Sequence, residues 1–315
     1  MALSTAQKRA RKSPTSKRPP FRFEVFGLTD VGLVREGNED SLLLAQDIGL
    51  FAVADGMGGH NCGEVASAFT IEAISAFYRS SDVTRQVRAA YRKLRRSLPR
   101  EQLDSSTEAL RLRRAVEGAN VSVFRLAQQH ESLRDMGTTV VAAVFCGRRM
   151  YTSNVGDSRV YRLRDGRIQQ LTEDHSLVNE YLRMNMLRPE DVETFPYKNV
   201  IVRAIGLHEQ VTVDIDYVSV RAGDQILLCS DGLTDLVRDP EIERLLSGES
   251  SARSACERLT ELAKDRGGHD NITTVLIRLH ATEENSKGGR EARKGGNGSG
   301  GKARVNGASD RAGSV

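Results

Sequence analysis

With 315 residues, 39% of them hydrophobic, the chain is long enough for one large domain with its own core. Its net charge of +4 is unevenly spread: residues 1–20 carry +6, residues 281–315 carry +3, and the body between them carries −5, which excludes a uniformly basic nucleic-acid-binding domain. The longest apolar run, Val140–Cys146, falls far short of the ~18 residues a membrane span needs, and Cys62, Cys146, Cys229 and Cys256 lack the spacing of a disulfide framework or a zinc site.

Residues 1–20 are basic, acid-free and rich in Ser, Thr and Pro, and read as a disordered tail. They lack the apolar stretch of a secretory signal, although a transit peptide shares their composition. Strands are expected at Phe21–Leu28, Ser41–Gln46 and Gly49–Ala54, each bounded by turn residues. Ala66, Phe69, Ala73 and Phe77 recur at helical spacing and predict a helix over 63–79. Two more helices are expected over 83–98 and 107–128, the second with a stripe of Leu112, Val116, Ala119, Val123 and Leu126. Strands return at 138–146, 149–154, 159–164 and 167–170. Residues 175–203 read as mixed and loop-like, with a short helix near Leu177–Met184. Strands at 211–220 and 225–229, short helices, a longer helix over 251–266 and a strand at 271–279 complete the body. Residues 281–315, rich in Gly, Lys and Arg, read as a second disordered tail. Strands do not alternate with helices as in a parallel βαβ fold. The pattern predicts one α+β domain over 21–280, with antiparallel sheets and helices on their outer faces.

Three apolar strands run into an aspartate beside a glycine: Asp55-Gly56, Gly156-Asp157 and Asp231-Gly232. Asp40 and Asp270 each stand just before a strand. One Asp-Gly pair is most simply a tight turn. Five aspartates at strand ends are harder to explain that way, because strands sharing a core bring their ends together. At ~4 Å and an effective dielectric of ~20, each like-charge pair costs about 4 kcal/mol. Such a cluster must take up protons, spread apart or hold cations. Oxygen-only ligands favour hard ions such as Mg²⁺ or Mn²⁺, and Gly56 lets its own carbonyl approach one closely. Two such ions can share a bridging hydroxide and orient it for in-line attack on phosphorus.

A series of motifs occurs in order: Arg35-Glu36-Gly37-Asn38-Glu39-Asp40, Asp55-Gly56-Met57-Gly58-Gly59-His60, Gly137-Thr138-Thr139, Gly156-Asp157-Ser158-Arg159, Asp174-His175-Ser176, Arg203-Ala204-Ile205-Gly206, Ser230-Asp231-Gly232 and Asp270-Asn271. Together they resemble the metal-dependent protein phosphatases of the protein phosphatase 2C type, in their bacterial form. The resemblance runs from about Phe23 to Leu279. It implies a four-layer α/β/β/α sandwich, two catalytic Mn²⁺ or Mg²⁺ ions, and hydrolysis of phosphoserine and phosphothreonine on proteins.

The roles that follow are those the resemblance implies. Asp55 bridges both ions. Asp231 and Asp270 complete one ion, and Asp40 with the Gly56 carbonyl holds the other. Asp157 resembles the aspartate that joins Asp231 at a third, weaker ion in bacterial relatives. Arg35 stands where the family places a phosphate-binding arginine. Eukaryotic members carry a histidine general acid at the position occupied here by Met57, which cannot donate a proton. That task then falls to a metal-bound water or to His60. His175 is expected to serve local capping and packing, His269 to be no ligand, and Thr138 and Thr139 to be strand residues near the ions. Residues 176–203 correspond to the family's flap, with Met184-Asn185-Met186 where many relatives have glycine.

The stretch 79–114 carries +7, and Arg88, Arg92, Arg95 and Arg96 share one helical face, either solvated or docking acidic partners. The expected protein is a cytoplasmic, monomeric serine/threonine phosphatase that opposes kinases. Three rivals remain: a pseudophosphatase, a hydrolase of small phosphoesters or nucleic acid, and a protein tethered to nucleic acid by its basic tails. No metal-ligand position has been lost, which weighs against the first.

Overall fold

The computed structural model describes residues 20–58, 62–100, 106–197 and 200–282. Apart from Pro20, Ala281 and Thr282, the expected tails lie outside the described residues, as does His60. One sheet runs in the order β1 (Phe21–Asp30), β11 (Ile272–Ala281), β10 (Gln225–Cys229), β7 (Arg159–Arg164), β8 (Arg167–Gln170). The other runs β2 (Asp40–Ala45), β3 (Leu50–Met57), β5 (Val140–Cys146), β6 (Arg149–Val155), β9 (Asp214–Ser219), with β4 (Gly137–Thr138) paired to the end of β3. Every ladder is antiparallel.

Alternation along the strands builds the layers, since successive side chains point to opposite faces. In β3, Phe51 and Val53 enter the core between the sheets, while Leu50, Ala52 and Ala54 face helices. In β10, Ile226 and Leu228 point between the sheets, and Leu227 and Cys229 point outward. Both faces of these strands are covered, so they appear in the sequence as continuous apolar runs. Helices α1 (Cys62–Arg79) and α3 (Thr107–Gln129) cover one sheet, and α6 (Asp239–Gly248) and α7 (Ala252–Asp265) cover the other. The result is the expected α/β/β/α sandwich. Helix α2 (Ser81–Ser97) lies against α1 and α3 with only Val87 fully buried. Among the described residues no helix is long and apolar enough to cross a membrane.

Three local expectations are revised. The strand expected over 138–146 is divided at Thr139: its N–H keeps the in-register bond to the Asp55 carbonyl at 2.8 Å, but the Asp55 N–H donates back to the Thr139 hydroxyl at 3.1 Å. The strand expected over 211–220 starts only at Asp214, because Arg113 Nη1 takes the Val213 carbonyl at 2.6 Å. On α1 the buried side chains are Cys62, Ala66, Ser67, Thr70, Ile71, Ile74 and Tyr78, while Phe69, Ala73 and Phe77 are partly covered. This helix is packed on two sides, by the sheet and by α3, so an aromatic stripe does not mark its most buried face. Asn185, after α4 (Leu177–Arg183), adopts φ +55°, a left-handed geometry that asparagine tolerates and that suits a position where many relatives have glycine.

Candidate active site

The five aspartates meet at one end of the sandwich, at the seam between the sheets. Asp40 and Asp55 are direct partners in the β2–β3 ladder, where like charges repel. Asp157 follows β6 of the same sheet. Asp231 opens the short helix α5 (Asp231–Thr234) just after β10, and Asp270 precedes β11, so these two come from the other sheet. Asp55 and Asp231 are within hydrogen-bonding reach of one another.

Burial and mutual repulsion push these carboxyls up. Asp55 is held well above the ordinary range by burial and by the charges of Asp40, Asp231 and Asp157. Asp157 is raised by burial and by Asp231 and Asp174. Burial raises Asp40 as well, against the opposing hydrogen bonds of Thr273 and Ser230. Asp231 is raised by burial and by Asp235.

Oxygen atoms of Asp40, Asp157 and Asp231 (Oδ1 in each case) are buried without a hydrogen-bond partner. Leaving such a group unpaired costs about 1–3 kcal/mol, and more when it is charged. Gly56 stands where no side chain fits: a Cβ would lie 2.2 Å from the Gly63 oxygen and 2.5 Å from the Glu39 oxygen. Among the described residues no three His, Cys, Asp or Glu side chains form a ready-made ligand group. Three of the carboxylates are instead engaged by neighbours: Asp40 by Ser230, Asp55 by Asp231 and Asp270 by Arg35. Orphan oxygens in an all-oxygen donor set fit hard divalent ions that keep much of their own water.

The surrounding residues hold these carboxylates in place. Ser230 Oγ donates to Asp40 Oδ2 at 2.8 Å and accepts from the Thr273 N–H. Thr139 Oγ1 accepts from the Asp55 N–H at 3.1 Å, and Thr138 Oγ1 donates to the Asp55 carbonyl at 2.8 Å. Both hydroxyls expected merely near the site are therefore spent on one backbone unit. Asn271 accepts from the Glu39 N–H at 2.8 Å and donates to the carbonyls of Val31 and Gly37 at 3.0 and 2.9 Å. It thereby pins the loop that carries Arg35 and Asp40. Ser230 and Asn271 lie inside recognisable motifs, yet their types and spacing do not disclose these partners.

Arg35 reaches the site as expected, with its side chain 50% exposed and Nη2 2.8 Å from Asp270. Met57 sits at the end of β3, and His269 is exposed. His175 does not cap α4; Ser176 does, accepting from the Asn179 N–H. His175 is buried instead between Gly156 and Asp214.

A family model described as protein phosphatase 2C matches residues 35–277. The chain belongs to the protein phosphatase 2C family. The serine/threonine phosphatase stp of Listeria monocytogenes is 34% identical over 267 residues, which cover 84% of this chain and 97% of that protein. The crystal structure of the Mycobacterium tuberculosis serine/threonine phosphatase PstP/Ppp superposes with a TM-score of 0.70 at 34% identity, over 82% of this chain and 99% of that one. A crystal structure of the catalytic domain of PstP with two manganese ions superposes at 0.65 with 35% identity, over 82% of this chain and 98% of that one. The phosphatase 2C sandwich is thus common to all three chains, and the carboxylate cluster lies within the matched span.

Proposed function

We propose that this chain is a metal-dependent protein serine/threonine phosphatase. The observation that carries the proposal is the convergence of Asp40, Asp55, Asp157, Asp231 and Asp270, with three buried carboxylate oxygens unpaired, at one end of a protein phosphatase 2C sandwich. Asp40, Asp55, Asp231, Asp270 and the Gly56 carbonyl would hold two Mn²⁺ or Mg²⁺ ions, with Asp55 serving both, and Asp157 with Asp231 would hold a third, weaker one. When bound, the ions lower the pKa of water and orient it for attack on phosphorus.

The remaining work belongs to the protein. Arg35 at the rim offers a guanidinium fork that orients a phosphoryl group and stabilises its charge in the transition state. Burial holds its proton less tightly, but Asp270, Glu39 and Asp55 outweigh that and keep it firmly cationic. Met57 donates no proton, so the leaving alkoxide of serine or threonine is protonated by water or by His60. The catalytic unit is residues 21–280, flanked by the basic tails. Its substrates are phosphoproteins made by serine/threonine kinases, and the exposed Arg92, Arg95 and Arg96 of α2 dock acidic segments of them. The four cysteines form no disulfide among the described residues, which suits a reducing cytoplasm.

The test is Mn²⁺-dependent phosphate release from a phosphothreonine peptide, with Asp231→Asn as control. Release should vanish with chelator and fall at least a hundredfold in the variant. No release by the wild-type chain, or undiminished release in chelator, would overturn the proposal.

A further inference from the structure

His175 has no part in the chemistry above, yet it is among the most enclosed polar residues, 2% exposed. Its backbone N–H donates to the Gly156 carbonyl at 2.9 Å, and its ring Nδ1 lies 3.1 Å from the Gly156 N–H. One residue thus grips both polar groups of the glycine directly before Asp157. On the far side of the ring, Nε2 lies 3.0 Å from Asp214 Oδ2. Arg203 Nη1 stands 3.2 Å from the same Nε2 and 3.1 Å from Asp214 Oδ1.

These partners assign the tautomer. Gly156 N–H is a donor, so Nδ1 must present a lone pair, and the ring proton sits on Nε2 facing Asp214. Arg203 then donates to Asp214, whose charge it balances. An acceptor at one end and a donor at the other, held apart by a rigid ring, is what this gap requires.

Gly156 is held from its other side too. It has φ +107°, and a Cβ there would lie 2.6 Å from the Cβ of Thr139, the residue that accepts from the Asp55 N–H. The Gly156 peptide is wedged between Thr139 and His175. With a planar peptide and two soft dihedrals per residue, fixing that unit leaves little freedom in the direction of the Asp157 side chain. The Oδ1 of Asp157 is buried and unpaired.

We propose that His175, oriented by Asp214 and Arg203, is a positioning residue that holds the Gly156 peptide so that the Asp157 carboxylate is aimed at a cation. The inference rests on the reading of Asp157 as a cation ligand. It goes further by naming the residues that set that ligand's geometry, and it links the cluster to the 200–203 segment, since the Val202 N–H donates to the His175 carbonyl at 2.8 Å.

The test uses the full chain and Mn²⁺ titrations followed by calorimetry, with hydrogen exchange at the Gly156 amide as a second readout. Four variants separate the roles. In His175→Asn the amide oxygen can take the place of Nδ1 and keep the bond to Gly156. In His175→Gln the amide reaches toward Asp214 and leaves the Gly156 N–H unpaired. Asp214→Asn alters only the outer, half-exposed partner, and Asp157→Asn removes the ligand itself. The weakest Mn²⁺ site should disappear in Asp157→Asn and weaken roughly tenfold or more in His175→Gln, the usual size for a group that orients a ligand. It should weaken several-fold in Asp214→Asn and stay near wild type in His175→Asn. Gly156 amide exchange should quicken in His175→Gln and not in His175→Asn.

If Asp157→Asn leaves every site intact, Asp157 is no ligand, and the inference falls with that reading. If Asp157→Asn loses the site while His175→Gln and His175→Asn bind alike, Asp157 stands and His175 is merely packing. Should His175→Gln fail to fold, as melting in chelator would reveal, Asp214→Asn decides: wild-type affinity there overturns the proposal.

Discussion

Replacing Asn271 by Ala removes the three hydrogen bonds that tie the 31–39 loop to the start of β11. Each is worth about 1 kcal/mol net. Gly37 is exposed, so water can re-pair its carbonyl in the variant, whereas Val31 and Glu39 are both half-buried. The expected loss is therefore between about 2 kcal/mol, if water re-pairs Gly37 and the other two bonds are forfeited, and about 3 kcal/mol, if all three are. Urea melts in chelator read this term apart from ion binding. The same loop carries Arg35 and Asp40, so kcat/KM for a phosphothreonine peptide should fall tenfold or more even where the protein is fully folded. Asn271→Asp sharpens the test. It keeps an acceptor for Glu39 but turns a carboxylate oxygen toward two carbonyls, and it should be worse than Ala on both measures. An Asn271→Ala protein within about 0.5 kcal/mol of wild type, the range of an ordinary surface change, would refute the strut. So would an Asn271→Asp protein that behaves like wild type.

Further outcomes follow from the same site. The raised carboxyls make the ion-free fold fully stable only below the unfolded value of about 3.9, with stability lost as pH rises through the folded values, which for Asp40 is pushed up to about 7. The melting temperature in chelator should therefore fall between pH 5 and pH 8, and the gain on adding Mn²⁺ should grow over that range; a flat or rising ion-free curve would contradict this. Gly56→Ala should abolish Mn²⁺-dependent release and cost about 1–3 kcal/mol, because its methyl would press on the Gly63 and Glu39 carbonyls; an active, stable variant would show that the backbone gives way. Changing Arg92, Arg95 and Arg96 to Gln should raise KM for a phosphoprotein without altering KM for a small aryl phosphate, and equal effects on both would remove α2 from docking.

What could be read from the sequence was local along the chain. An aspartate beside a glycine at the end of an apolar strand is visible within seven residues, and Asp55, Asp157 and Asp231 all announce themselves that way. The antiparallel sheets with helices outside them were visible in the order of strands and helices, while the four-layer sandwich came from the resemblance of the ordered motifs to the phosphatase family. The supporting bonds were not, since their partners lie far apart: Asn271 reaches Glu39 across 232 positions, Ser230 reaches Asp40 across 190, and His175 reaches Asp214 across 39. The break between β4 and β5 had the same cause, an Asp55 N–H that goes to the hydroxyl of Thr139, 84 residues away. No periodicity encodes such pairings, because they arise only after the sheets have stacked. Arg88 shows the limit of spacing on a helix: it shares a face with Arg92, yet its charge acts on the half-buried Glu108.

The cluster draws Asp40, Asp55 and Asp157 from one sheet and Asp231 and Asp270 from the other, with Phe51, Val53, Ile226, Leu228 and Val275 filling the space behind them. Sheets stacked this way lie about 10 Å apart. The cluster therefore works as a caliper across the sandwich. A methyl group too many in that inner layer would spread its jaws, and a methyl too few would let them close. Cation affinity then reports the thickness of a hydrophobic layer that no ion touches, and silent-looking changes deep in the core become a route for tuning the site without altering any of its ligands.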